Sequence, residues 1–384
     1  MLFNTKLLII YFILTKYSFT FKLNNTLNHG IDVYHIAELK IYSSKSSINY
    51  LASSALDGSI KIWDIKTQKL KYTFDQSNDG HSSTVLSLES LNDGYLASGS
   101  EDKTIKIWNL KNGSLKQTFN KTNGDISSRI ESLALLENGL LASGLWDSKI
   151  KIWDVINGKL KYTFDKSNGA HSDRVRLLVS LENGYLASGS LDKSIKIWDI
   201  TNERLKYTFD QSNGGHYDFI LALTRLENGY LASGSWDSTV KIWDAINGKL
   251  KYTFDKTNGG HSNYVYSLES LDNGYFASGS DDENIIIWDT LNGSLKFKFD
   301  KSNGGHIGSV LFLVSLGNGY MASGSSDLTI KIWDIVNGKL IYAFNQSNEL
   351  HRRTPTSLIS LENGFLASCS KDGFIKIWDV KIEL

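Results

Sequence analysis

The sequence predicts an all-β chain built from eight copies of one four-stranded unit. Three observations carry this reading. A tryptophan recurs at 63, 108, 153, 198, 243, 288, 333 and 378, always 45 residues apart, and a period in this range marks a repeat architecture. Short β-branched and aromatic runs alternate with Asn-Gly and Asp-containing turns, the pattern of successive hairpins. The apolar period of an amphipathic helix is absent.

The fourth unit shows the elements in order. Val175 to Leu181 is an apolar run that ends at Glu182-Asn183-Gly184, and Asn-Gly readily takes the positive φ of a tight hairpin turn. Leu186 to Ser190 and Ile195 to Asp199 follow, separated by the polar turn Leu191-Asp192-Lys193-Ser194. A fourth run comes after the next Asn-Gly, as Lys249 to Phe254 follows Asn247-Gly248. Each unit is therefore a four-stranded antiparallel meander. One such sheet cannot bury both its faces, so its neighbours must stack on it.

A chain of 384 residues could hold several domains, but the unbroken repetition argues for one body over residues 16–384. Residues 1–15 are an apolar leader. Within it Leu7 to Leu14 follows Lys6; the run is shorter than the roughly 20 residues that span a bilayer, so no transmembrane span is expected. It suits a signal core, although Thr15-Lys16-Tyr17 offers no small-x-small cleavage site. The expected location is cytoplasmic, with the secretory pathway as the alternative if Met1 to Leu14 works as a signal.

Lys plus Arg and Asp plus Glu both number 41, which leaves no net field to hold a polyanion and gives no strong nucleic-acid signal. The one cysteine, Cys369, excludes a disulfide framework or a cysteine metal site within one chain. The loop Asp255 to Gly260 lacks the alternating acidic ligands of a calcium loop, so no metal and no cofactor is expected. Lys106, Lys151, Lys196 and Lys241 recur on the third strand and read as a solvated face whose aliphatic stems pack on a neighbour.

Lys16-Tyr17-Ser18-Phe19 echoes Lys71-Tyr72-Thr73-Phe74, the fourth strand of the first unit. The last unit has little chain left after Trp378 for a fourth strand of its own, so the N-terminal echo is expected to supply it. A ring closed this way has no open sheet edge. His29 to Leu39 then aligns with His81 to Leu91, and extra residues around Ser43 to Ser47 lengthen one loop of the first unit.

Gly80-His81, Leu96 to Ser100, Asp102 and Ile107-Trp108, with Trp153-Asp154 and its relatives, resemble the WD-repeat family of β-propellers. The resemblance runs over nearly all of residues 16–384. It implies four-stranded blades around a central channel, here eight of them, and a non-enzymatic platform on which other molecules assemble. It also implies a structural tetrad in each blade: His81, Ser98, Asp102 and Trp108; His171, Ser188, Asp192 and Trp198; His216, Ser233, Asp237 and Trp243. Their multiplicity argues against catalytic triads, because nothing singles out one copy as a nucleophile with an oxyanion hole. No catalytic residue is expected. A closed network satisfies buried polar groups that would each cost about 1–3 kcal/mol unpaired. The His is missing once, at Ile126, and the same unit carries Leu145 where most others have Ser. Blade 3 should therefore be the least rigid or the most altered.

In the family, three positions per blade point to the upper rim: the first and third residues after the His, and the residue before the tetrad Asp. Blades 3 to 6 there carry Arg129, Trp146, Arg174, Tyr217, Phe219, Trp236, Tyr264 and Asp281. Trp146 and Trp236 are the tryptophans outside the 45-residue register. These are residue types enriched at binding hot spots, and an exposed aromatic cluster marks an interaction surface. They are the candidate partner-binding residues, for a protein or peptide segment on the rim. The two arginines suit an acidic or phosphorylated segment, through bidentate hydrogen bonds. The alternative is a secreted binder of carbohydrate or another small ligand. Blade 2 presents Glu101 on this rim, and blade 8 presents Arg352, Thr354 and Lys371.

Overall fold

The computed structural model describes residues 18–42, 47–226, 229–345, 350–361 and 364–383; the leader, Lys16-Tyr17 and residues 43–46 of the lengthened loop lie outside them. The strands form eight separate four-stranded sheets, each an antiparallel meander. In blade 4 the strands are Val175–Ser180, Tyr185–Ser190, Ile195–Asp199 and Arg204–Phe209, paired in that order. First strands of adjacent blades touch one another all the way round, and Val33–Tyr42 meets both Val85–Leu91 and Pro355–Leu361. They therefore ring the channel.

The second and third strands are buried on both faces: every residue of Leu186–Ser190 and of Ile195–Asp199 is buried. A neighbouring blade covers each side, which is why these strands read as continuous small and apolar runs rather than alternating ones. The blades approach closely at the glycine of the second strand. A Cβ on Gly234 would lie 2.6 Å from Val265 Cγ1 of the next blade.

Outer strands such as Lys159–Phe164 alternate, with Lys159 and Lys161 exposed on the open edge, a charge pattern that discourages pairing with another chain. Their final aromatic turns inward onto the next blade's tryptophan. Phe164 lies 4.3 Å from Trp198 between ring centres, Phe209 4.4 Å from Trp243, and Phe344 4.5 Å from Trp378. Such pairs add about 0.5–1.5 kcal/mol each beyond the area they bury.

The ring closes as the sequence predicts, by Ser18–Asn28 pairing antiparallel with Phe374–Glu383 in blade 8. The register corrects the echo. Leu27 pairs with Ile375 and Leu23 with Trp378, as Phe344 pairs with Ile330 and Leu340 with Trp333. Leu23 to Leu27 is thus the counterpart of Leu70 to Phe74, and Phe19 is not. The short turn that separates Phe74 from His81 is missing between Leu27 and His29, whose backbone N–H donates directly to Gly373 O at 2.9 Å.

The lysines of the third strand also differ from expectation. Lys106, Lys151, Lys196 and Lys241 are buried, with Lys151 only 1% exposed. Each ammonium donates to the threonine opposite it on the outer strand, Lys196 to Thr208 at 3.0 Å and Lys151 to Thr163 at 3.2 Å. Burial lowers their pKa. The stacked blades leave no solvated face here, so the charge is held by a cross-strand hydroxyl.

Candidate functional site

In blade 4, Trp198 Nε1–H donates to Ser188 Oγ at 2.8 Å, and Ser188 Oγ sits 2.7 Å from His171 Nε2. His171 Nδ1 lies 2.9 Å from Asp192, whose carboxylate also accepts from Ser194 Oγ and from the Ser172 backbone N–H. Burial pushes the imidazole below its ordinary pKa, so it is neutral and donates from Nδ1. Burial alone would raise Asp192, but the hydrogen bonds from His171, Ser194 and Ser172 hold it well below the usual carboxylate range. The serine hydroxyl is fully buried and engaged on both sides.

The same closed chain links His81, Ser98, Asp102 and Trp108, and His216, Ser233, Asp237 and Trp243, with every step between 2.7 and 2.8 Å. Blades 6, 7 and 8 repeat it around Ser278, Ser323 and Ser368. Two blades depart. In blade 1 the ring of His29 is turned, so Nδ1 faces Ser53 at 2.8 Å and Nε2 faces Ser59 at 2.9 Å. In blade 3, Ile126 fills the imidazole's place in a buried cluster with Trp153. Asp147 there keeps only marginal contacts, to Ser127 Oγ at 3.5 Å, Lys149 N at 3.4 Å and Lys149 Nζ at 3.8 Å.

In each of blades 3 to 6 the rim is built on one backbone contact. The N–H of the residue before the tetrad Asp donates to the carbonyl of the third residue after the His: Trp146 to Arg129, Leu191 to Arg174, Trp236 to Phe219 and Asp281 to Tyr264, at 2.8–3.1 Å. This sets two variable side chains side by side and aims one at the next blade.

Two stacks result. The Trp146 ring lies between the guanidinium groups of Arg129 and Arg174, at 3.5 and 2.8 Å from its centre. Trp236 lies between Phe219 at 5.0 Å and Tyr264 at 5.1 Å, parallel to the latter within 22°, and Tyr264 meets Tyr266 edge-on. Tyr217 joins neither stack and is 65% exposed. Asp281 is tied down by Asn263 Nδ2 at 2.7 Å and by Ser309 Oγ of blade 7. Arg129 is already paired, with Glu101 at 3.0 Å and Glu131 at 2.6 Å. Arg174 has no carboxylate partner among the described residues.

Glu131 and Tyr266 escaped sequence reasoning, though a signal existed. They share one repeat position, the second residue of the first strand, with Leu86, Leu221 and Leu311. The alternation of leucine with Glu131, Arg176 and Tyr266 there marks a position the blade does not dictate. The turn Asp255 to Gly260 has a structural explanation: Asp255 accepts from Thr257 N–H and Oγ–H, and Asn258 accepts from Asp255 N–H. Among the described residues no group of three His, Cys, Asp or Glu side chains gathers as for a metal, and no helix is long and apolar enough to cross a membrane.

A ring of eight four-stranded blades, sealed by its own first strand and pinned by repeated Trp–Ser–His–Asp networks, defines a β-propeller. The family model described as WD domain, G-beta repeat (WD40), matches residues 21–64, 68–109, 113–154, 158–199, 205–244, 248–289, 297–334 and 346–379. The chain belongs to the WD40 family, whose propellers are typically protein-interaction scaffolds and generally non-catalytic. A comparison with curated proteins returns no match. Among solved structures the chain is similar to the crystal structure of the computationally designed Ika8 protein, with a TM-score of 0.74 and 27% identity, over 94% of this chain and 98% of that one.

Proposed function

We propose that this propeller is a non-enzymatic scaffold that holds a peptide or protein segment along the rim of blades 3 to 6. The observation that carries the reading is the continuous run of stacked rings there. Phe219, Trp236 and Tyr264 present an already ordered aromatic surface, 36–37% exposed at Trp236 and Tyr264, with the open ring of Tyr217 beside it. Rings that pack on one another before binding lose little rotamer freedom when a partner arrives, which favours affinity. Arg174, stacked on Trp146 and without a carboxylate partner among the described residues, offers its guanidinium to an acidic or phosphorylated residue of the segment. Arg129, held by two carboxylates, serves to fix Trp146 instead.

The test compares proteins that co-purify from the native cell with the intact chain and with a Tyr217→Ala/Phe219→Ala/Trp236→Ala variant, both shown to be folded by circular dichroism. One or more partners should be lost only with the variant. Identical sets would overturn the rim reading.

A further inference from the structure

The mouth of the channel at blade 8 differs chemically from every other part of the rim. Arg352, Arg353 and Lys371 occupy three repeat positions at which no other unit carries a cation. The counterparts of Arg352 include Ser82, Ser172 and Ile307, and those of Lys371 include Glu101, Leu191 and Ser326. Together the three line a cavity of about 740 Å³, whose lining also includes Tyr34, Thr354, Leu311 and Phe312.

These charges are poorly neutralised. Arg353 reaches Asp32 only at 4.0 Å, with both side chains partly exposed. Lys371 Nζ stands 5.6 Å over the ring of Tyr34. The nearest tetrad carboxylate, Asp372, is spent on His351 at 3.0 Å, on the Arg352 backbone N–H at 2.9 Å and on the Phe374 N–H at 3.0 Å. Three positive charges against the carboxylates of Asp32 and Asp372 leave an excess of one positive charge, so an anion such as a phosphate monoester, about −1.5 to −2 at pH 7, is attracted there. A cleft lined by one sign of charge focuses the field and concentrates its counter-ion. Two guanidinium forks and an ammonium are the donors that recognise phosphate oxygens.

We propose that the blade 8 cavity binds a phosphate group through Arg352, Arg353 and Lys371, as a site separate from the aromatic arc of blades 3 to 6. The contrast with Arg129 locates it. In blade 3 the cation is closed off by Glu101 and Glu131, whereas in blade 8 three cations open onto one cavity. The phosphate can be carried by a small soluble molecule or by a phosphorylated side chain, and the two have the same chemistry at these donors.

Titration calorimetry on the full chain tests this with inorganic pyrophosphate and with a phosphoserine peptide, the unphosphorylated peptide serving as control. At least one phosphate probe should bind, with an affinity that falls as salt rises. Pyrophosphate alone would identify the small-molecule source, and the phosphopeptide alone the side-chain source. Arg352→Gln/Lys371→Gln, folded by circular dichroism, should weaken that binding about tenfold or more, a loss of at least about 1.4 kcal/mol. Arg129→Ala/Arg174→Ala and the blade 5 triple variant should bind as wild type. The proposal is overturned if neither probe binds the wild-type chain, if the blade 8 variant binds equally well, or if the loss follows Arg129 and Arg174 instead.

Discussion

Leu27 shares a buried cluster with Trp63 at the closure of the ring, the place that Phe344 and Trp378 take at the preceding junction. An aliphatic side chain thus fills the seat of an aromatic one where the two ends of the propeller meet. Leu27→Ala should cost about 2–4 kcal/mol in urea unfolding, the range for emptying a buried leucine site. Wild-type stability in that variant would show that the closing strand is held by its backbone ladder alone.

Blades 3 and 4 offer a paired experiment on the tetrad. Asp192→Ala strips the acceptor from a buried imidazole N–H and from the Ser172 N–H, and should cost about 2–3 kcal/mol. Asp147→Ala removes a partly exposed carboxylate that has no imidazole partner, and should cost less than about 1 kcal/mol. Equal losses would mean that Asp147 carries a stabilising role independent of the histidine.

The inner strands carry two half-buried glutamates four blades apart, Glu89 and Glu269. Each accepts a backbone N–H from the next blade, from Leu135 at 3.1 Å and from Ser315 at 2.9 Å. Burial raises both from an ordinary 4.5 to about 7. A raised folded-state pKa contributes stability that is full below the unfolded value and is lost as pH rises through the folded one. Between pH 5 and 8 these two groups should therefore take away on the order of 1–3 kcal/mol each. The buried histidines, lowered by burial, act in the opposite direction. Melting temperatures of wild type and Glu89→Gln/Glu269→Gln across this range separate the two: the wild type should lose ground to the variant as pH rises. A constant difference would remove the glutamates from the account.

Lys196 and Thr208 test the buried cross-strand pair. Lys196→Met keeps the stem and removes the charge, so stability should change by less than about 1 kcal/mol or rise, as when a buried ionic group is replaced by an apolar one of its size. Thr208→Val leaves the ammonium without its hydroxyl and should cost about 1–3 kcal/mol. Thermal unfolding of both variants reads the order directly, and a larger loss in Lys196→Met would reverse the argument.

The blades and their count were legible because identical residues recur at one spacing, and the buried Trp–Ser–His–Asp chain keeps its members together in six of the eight copies. The closing strand was legible as an element but not in register. Leu23 to Leu27 keeps only Leu23 and Thr26 of the sequence Leu-Lys-Tyr-Thr-Phe, and Lys16 to Phe19 was the better textual match. What a side chain meets across a blade boundary was not legible either. Lys196 looked solvated because its own strand says nothing of the blade stacked over it. Arg129 looked available because Glu131 lies on a position that varies without an obvious pattern. The cations of blade 8 were visible as letters, but the cavity they share depends on Tyr34 of blade 1 and Phe312 of blade 7, which only closure brings together.

The closing pair has a mechanical side. Ser18 pairs with Glu383, so the two outer ends of the pair emerge together on one edge of blade 8, and its rungs run back from there to Asn28 and Phe374. Tension applied through those two ends loads the rungs one after another, as in opening a zip, and does not shear them all at once. A ring whose last sheet is completed by this pair is therefore expected to part at low force. Anything that tethers this propeller by both ends and pulls would turn a closed disc into an open arc, exposing two strand edges ready to pair elsewhere.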